Sequence, residues 1–255
     1  MTIGIVAEGP RDFEIIESIV KLAYPDCICR ILQPDDLNIA TYNGWKGVWQ
    51  WCINSRRFVE ELSNVLSHSI DFYIIQLDGD TIREKYMHCN EPEECGIEPV
   101  SSAAYCKTNS ASCPIKLNDE YQKINVKRTV EFLKERINMW INHDILVNVV
   151  KCVPVECPES WIVAAFDKNA YGSPELIENP ADSVIGKSAN YHNYRVNRKD
   201  GKLKKAQRLY TDFLIPKLCL EWELVKSLCL TAELFQADLD TCIMRLVSRK
   251  PLYCE

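Results

Sequence analysis

No apolar run in this sequence approaches the roughly 20 residues that a membrane-spanning helix requires. The N-terminus lacks a basic lead segment, and its apolar stretch, Thr2-Ile3-Gly4-Ile5-Val6-Ala7, is too short for a secretory signal. A cytoplasmic protein is therefore expected. Positive charge is not in excess: 30 Lys and Arg stand against 36 Asp and Glu, for a net charge of −6 and a pI near 5.4. That balance excludes a surface coated for non-specific nucleic-acid binding. It leaves room for an enzyme with a local basic strip and a divalent cation over its acids. Repeats and low-complexity tracts are missing, which excludes repeat arrays and long disorder. Histidine is scarce, at four, and none stands in a Ser-His-Asp or Cys-His setting; His68 and His143 read as structural residues near helix ends. Cysteine is abundant, at 13. An odd count without a signal argues against a disulfide framework, so most thiols are expected to be reduced and several to fill core positions.

What is present is enough apolar residue, 47% of 255, to build a substantial core. The first part alternates between strand and helix patterns. A buried strand over Ile3–Ala7 runs into the turn Glu8-Gly9-Pro10-Arg11-Asp12. A helix follows whose apolar face is Phe13, Ile16, Ile19, Val20 and Ala23. A second strand, Cys29–Leu32, closes with Gln33-Pro34-Asp35-Asp36. Asn43-Gly44 leads to a helix from about Val48 to Leu66, and Phe72–Leu77 reads as another buried strand, ending in Asp78-Gly79-Asp80. Residues 84–122 lose this rhythm and read as a Cys-rich insertion. A helix from about Val126 to Asn142, a strand from Ile145 to Val153 and a short helix from Glu159 to Phe166 follow. The remainder is a polar, basic stretch and then two apolar-striped helices over roughly 206–249. The pattern predicts an α/β fold with a mainly parallel central sheet flanked by helices, over residues 1–167, and a basic loop with a helical C-terminal extension over 168–255.

In such sheets functional groups collect at the carboxyl ends of the strands. Glu8 and Asp78-Gly79-Asp80 both fall there. Residues two apart in extended chain point the same way, so Asp78 and Asp80 are expected to converge, with Gly79 letting a phosphate or metal approach the backbone. Mg²⁺ suits close carboxylates, taking one or two of them together with substrate phosphate and water. Asp12 lies one helical turn beyond Glu8 and can point back to the same corner. The plainer alternatives are an ordinary Asp-Gly-Asp turn and an Asp12 that serves only the positive end of its helix.

Strand, Glu8-Gly9, Asp12, helix, and a later strand ending in Asp78-Gly79-Asp80 together resemble the Toprim (topoisomerase–primase) family. The likeness is greatest to small bacterial Toprim-like proteins and the overcoming-lysogenization-defect nucleases. The resemblance implies Mg²⁺ or Mn²⁺ bound by Glu8, Asp78 and Asp80, with Glu8 also acting in acid–base chemistry. The segment Pro158-Glu159-Ser160-Trp161-Ile162-Val163-Ala164-Ala165-Phe166-Asp167 is similar to a further motif of the small group. It implies Glu159 as an additional acid near the metal, with Glu156 its nearby competitor. The resemblance spans residues 1 to about 167, interrupted by the insertion. It implies phosphodiester hydrolysis of DNA or RNA, in a defence or toxin-type system. The alternatives are a catalytically silent module working with a partner ATPase or as a homo-oligomer, and a metal-dependent phosphoesterase acting on a small nucleotide.

Cys89, Cys95, Cys106 and Cys113 could hold a structural Zn²⁺ in the insertion, with His88 beside the first. Their spacings of five, ten and six intervening residues are not those of tight Cys-x-x-Cys knuckles, and a loop of reduced thiols is the alternative. Cys27/Cys29 and Cys152/Cys157 read as core or strand-end residues. Lys187, Arg195, Arg198, Lys199, Lys202, Lys204, Lys205 and Arg208 concentrate positive charge, and Tyr191, His192 and Tyr194 interleave with them. That mixture suits single-stranded nucleic acid, with Lys187, Lys204 or Lys205 on a phosphate; a solvated loop is the competing reading. Gly186-Lys187-Ser188 has the ending of a phosphate-binding loop but lacks its earlier glycines. The segment from Trp45 to Trp51 could offer an interface, with packing of the second helix as the alternative.

Overall fold

The computed structural model describes residues 1–34, 44–65, 70–83, 126–141, 148–166, 173–177, 179–183, 198–199, 202–203 and 206–249. By spatial contact the chain forms two compact units. The first comprises Met1–Leu77, Ile137–Cys152 and Ala232–Glu255; the second comprises Asp78–Arg136 and Val153–Thr231. They interleave along the chain, where the sequence pattern places a single boundary after 167.

The first unit is built on four parallel strands: β1 (Thr2–Val6), β2 (Ile28–Gln33), β3 (Phe72–Gln76) and β4 (Val149–Cys152), in the order β2-β1-β3-β4. Helix α1 (Pro10–Ala23) links β1 to β2, and α2 (Trp45–Val65) precedes β3. The long helix α3 (Val126–Ile141) precedes β4 and belongs to this unit only from Ile137 on. The α/β class and the all-parallel sheet agree with the sequence pattern. All five residues of β1 and all five of β3 are buried, as strands covered on both faces must be, which is why these segments read as continuous apolar runs without alternation. The edge strand β2 is largely exposed. Ile15, Ile16, Ile19 and Val20 carry the buried face of α1, and Trp51 of α2 packs against Tyr73 at 6.0 Å between ring centroids. The Trp-rich segment thus serves core packing through Trp51, while Trp49 stays exposed.

The second unit centres on α4 (Glu159–Phe166), whose first seven residues are buried. Trp161 is fully buried and meets Trp222 edge-on, at 5.6 Å and 68°. The predicted first C-terminal helix is in fact segmented. A turn of helix over Gln207–Leu209 passes into a π-helical segment, Tyr210–Leu214, then α5 (Ile215–Leu220) and α6 (Trp222–Leu228). Pro216 explains part of the break: without an N–H it cannot continue the regular ladder, and Ile215 N–H bonds back to Tyr210 C=O in π register. Helix α7 (Leu230–Arg249) closes the described chain; only Leu230 and Thr231 of it belong to the second unit. Arg198–Lys199 (β5) and Lys202–Leu203 (β6) pair antiparallel.

Candidate functional site

The strand order fixes where a ligand crevice belongs. From β1 the chain proceeds to β2 on one side, and from β3 to β4 on the other, so β1 and β3 flank the point where the winding reverses. The crevice beyond the carboxyl ends at such a point is where open parallel sheets bind ligands. The register, with Val6 opposite Ile75, brings both strands to an end at that edge. Glu8 lies two residues past β1, and Asp78 two residues past β3.

Glu8 is half-buried and its backbone is held on both sides. Its N–H donates to Oε1 of Gln76 at 2.9 Å, and its C=O accepts from Gly44 N–H at 3.1 Å. Gln76 is fully buried at the end of β3, where a polar side chain is retained only with a partner. Gly44 has a φ of +69°, a conformation that glycine adopts freely. Asp12 occupies the first turn of α1 and is 6% exposed. Its Oδ2 lies 3.0 Å from where a Cβ on Gly9 would stand, so this carboxylate folds back over the helix start, next to Glu8 in sequence. The negative charge also suits the positive end of α1, whose Gly9 cap supplies no side-chain hydrogen bond.

In the second unit, two expectations for Asp78-Gly79-Asp80 need correction. β3 stops at Gln76, and Gly79–Arg83 is a 3₁₀ turn in which Thr81 Oγ1 donates to Asp78 C=O at 2.6 Å. The alternation of extended chain therefore does not govern Asp78 and Asp80; Asp78 is half-buried and Asp80 exposed. Nor is the small size of Gly79 reserved for a ligand. A Cβ there would lie 2.8 Å from Val155 Cα and 2.9 Å from the Pro154 carbonyl oxygen, so the glycine admits the chain's own backbone. Gly79 N–H donates to Pro154 C=O at 2.8 Å, and Asp80 N–H to Glu156 C=O at 3.3 Å.

Glu156 is thus the acid whose backbone runs beside Asp80. It is 7% exposed and adopts a left-handed φ of 60°. An ordinary residue pays about 1–2 kcal/mol for that conformation, and such strain gathers at functional sites. Sequence reasoning placed it second to Glu159, because the backbone conformation leaves no mark in the residue type. Glu159 itself is fully buried in α4, and its Oε1 accepts from Tyr210 OH at 2.6 Å. A further buried carboxylate, Glu175, went unread in the sequence. It accepts from the N–H groups of Leu230 and Thr231, both at 2.9 Å, and from Thr231 Oγ1, which in turn accepts from Trp161 Nε1 at 2.8 Å. It therefore serves as a remote cap for α7. Burial pushes its carboxyl above the usual value, against the opposing pull of the Thr231 and Leu230 hydrogen bonds.

Lys187, Lys204, Lys205, Arg195, Tyr191, His192, Tyr194 and the four insertion cysteines lie outside the described residues, as do His68, His88 and His143. Among the described residues, no three His, Cys, Asp or Glu side chains are grouped so as to hold a metal ion. No helix among them is long and apolar enough to cross a membrane. No family model, curated protein or solved structure matches the chain.

Proposed function

We propose that the protein is a Mg²⁺-dependent phosphodiesterase of Toprim type that cleaves DNA or RNA. One observation carries the reading: β1 and β3 are neighbours at the reversal point of a parallel sheet, and they lead directly into Glu8 and Asp78-Gly79-Asp80. The donor chemistry fits a hard cation, which takes oxygen ligands and needs only one or two carboxylates when phosphate and water complete its shell. A group of three protein acids is therefore not required. Asp78 and Asp80 are assigned to the ion, with Asp12 and Glu156 as the further acids; Glu159, bound to Tyr210, is assigned to packing. The ion, when bound, supplies phosphate orientation and charge stabilisation. Glu8 is assigned the proton from the attacking water, its backbone fixed by Gln76 and Gly44. The basic strip around Lys187 is assigned to the phosphate backbone.

The test is cleavage of single- and double-stranded DNA and RNA by the pure protein with Mg²⁺ or Mn²⁺. Glu8→Gln is expected to lower the rate by about 10²–10⁴-fold with unfolding unchanged, and Asp80→Asn to abolish metal-dependent cleavage. Unaltered cleavage in both variants would remove the assignment. Metal binding that is lost in Asp80→Asn, with no cleavage of any polymer, would replace it with a silent module that works through a partner such as an ATPase.

A further inference from the structure

Helix α2 has two sides. Val48, Trp51, Cys52 and Ser55 are buried. On the other side Trp45, Trp49, Ile53 and Arg57 follow one another at i, i+4 spacing, which makes them a ridge along the helix. Trp49 is 37% exposed and Ile53 45%; Trp45 is half-buried and Arg57 exposed. Apolar side chains scattered singly on a surface call for no function, but three in a row are a contiguous surface. The ridge runs for about 18 Å, with its two indoles about 6 Å apart along the axis.

Charge and position identify what covers it. From Trp45 to Val59 the sequence carries Lys46, Arg56 and Arg57 and no acid, in a chain of net charge −6. Lys46 is exposed, and its Nζ stands 5.6 Å from the centroid of the Trp45 ring. The ridge also starts at the candidate site. Gly44, the residue before Trp45, donates its N–H to Glu8 C=O at 3.1 Å, and Glu8 Oε2 lies 3.6 Å from where a Cβ on Gly44 would stand. Gly44 C=O in turn accepts from the N–H groups of Gly47 and Val48, at 2.9 and 3.3 Å, so Glu8 and the start of α2 are fixed to each other. Aromatic faces beside positive charge suit unpaired nucleotides, because every base has a π-face and the cations meet phosphate. A duplex keeps its bases stacked on one another and offers none to an indole. We infer that Trp45 and Trp49 form a base-stacking platform that holds single-stranded nucleic acid, DNA or RNA, along α2 beside Glu8, with Lys46 on a phosphate. This rests on the reading of Glu8 as the acid at the reacting phosphate, and it narrows the substrate to unpaired strands.

Fluorescence anisotropy of the full chain tests it, with fluorescein-labelled oligothymidylate and oligouridylate of about 15 nucleotides and a duplex of the same length. EDTA is present throughout, so that binding is read without turnover. Wild type is expected to bind the single strands roughly tenfold or more tightly than the duplex; the ratio of the two single strands tells DNA from RNA. Trp49→Ala is expected to weaken single-strand binding by about five- to a hundredfold, with urea unfolding unchanged. Trp49→Phe, which keeps a π-face, retains most of the affinity; Trp49→Leu, which keeps only apolar area, falls with the alanine variant. Lys46→Gln lowers the slope of log affinity against log salt by about 0.7. Binding that is absent, that favours the duplex, or that Trp49→Ala leaves unmoved overturns the platform. So does a leucine variant that binds as well as the phenylalanine one, which would give the ridge to a protein partner. The two readings fail separately: cleavage in Mg²⁺ with binding indifferent to Trp49 removes the platform alone, and stacking-dependent binding without cleavage removes the nuclease alone.

Discussion

Carboxylates at the end of β1 and in the helical part of the molecule are held through different atoms. At the sheet, Glu8 is half-buried, and its backbone is gripped by Gln76 and Gly44. In the helical unit, Glu175 is held by its side chain: both oxygens accept from the first residues of α7. Glu159 is likewise buried, with Tyr210 on its Oε1. A carboxylate whose oxygens are committed to cap a helix or satisfy a buried hydroxyl contributes to stability. One positioned through its main chain at a strand end is the kind that the proposed cleavage would use. The distinction predicts that substitutions in the two groups separate stability from activity.

The largest expected effect falls at Gly79, where the acids are connected to the fold. Gly79→Ala would put a methyl 2.8 Å from Val155 Cα and 2.9 Å from the Pro154 oxygen, both backbone atoms that cannot rotate away. A loss of about 3 kcal/mol is expected from this overpacking, read by urea denaturation. A change below about 0.5 kcal/mol would show that the 77–80 and 152–156 segments do not approach as described, and the strand-end group would lose its scaffold.

Glu175→Gln sharpens the contrast from the other side. The amide nitrogen cannot accept from a helix N–H, so one of the hydrogen bonds that cap α7 is lost. The expected destabilisation is about 2 kcal/mol, with metal-dependent cleavage unaffected. The pH dependence has a definite sign. Burial raises the folded-state carboxyl above its ordinary 4.5, so the folded protein binds this proton more tightly than the unfolded chain. The stability from this group is complete below pH 4.5 and declines as pH rises through the folded value. The gap between wild type and Glu175→Gln is therefore widest in acid and narrows toward neutrality. A gap that widens with pH would show that the hydrogen bonds outweigh burial.

Much of the fold was legible because parallel strands covered on both faces must be uniformly apolar. Ile3–Val6 and Phe72–Gln76 announced themselves for that reason, and the acids after them were found by counting to the strand ends. The exposed edge strand β2 was found through its Cys-Ile-Leu character and the Pro34 that follows. Three things were not legible. The first of the two C-terminal apolar stripes read as one unbroken helix because hydrophobic periodicity survives a π segment almost unchanged; only Pro216 marked the break. The function of Gly79 was misattributed because a glycine in a sequence does not say whether a ligand or the chain's own backbone needs the space. Glu175 was passed over because its partners, Leu230 and Thr231, lie 55 and 56 residues away, beyond any local pattern.

The smallest effect is the one that bears most directly on the division between stability and function. Glu156 pairs its backbone with Asp80 while holding a left-handed φ of 60°. Glycine adopts that conformation without the Cβ clash, and it loses more backbone freedom on folding, so Glu156→Gly is expected to gain about 1 kcal/mol at most. Asn, which tolerates the region better than Glu, should fall between them. If the strain is retained for the carboxylate, the more stable variant cleaves more slowly: stability and activity move in opposite directions at one residue, as they do where a fold holds a strained group for chemistry. Parallel loss of both would assign Glu156 to the packing acids with Glu159 and Glu175. A gain in stability with cleavage intact would leave the strand-end group to Glu8, Asp12, Asp78 and Asp80.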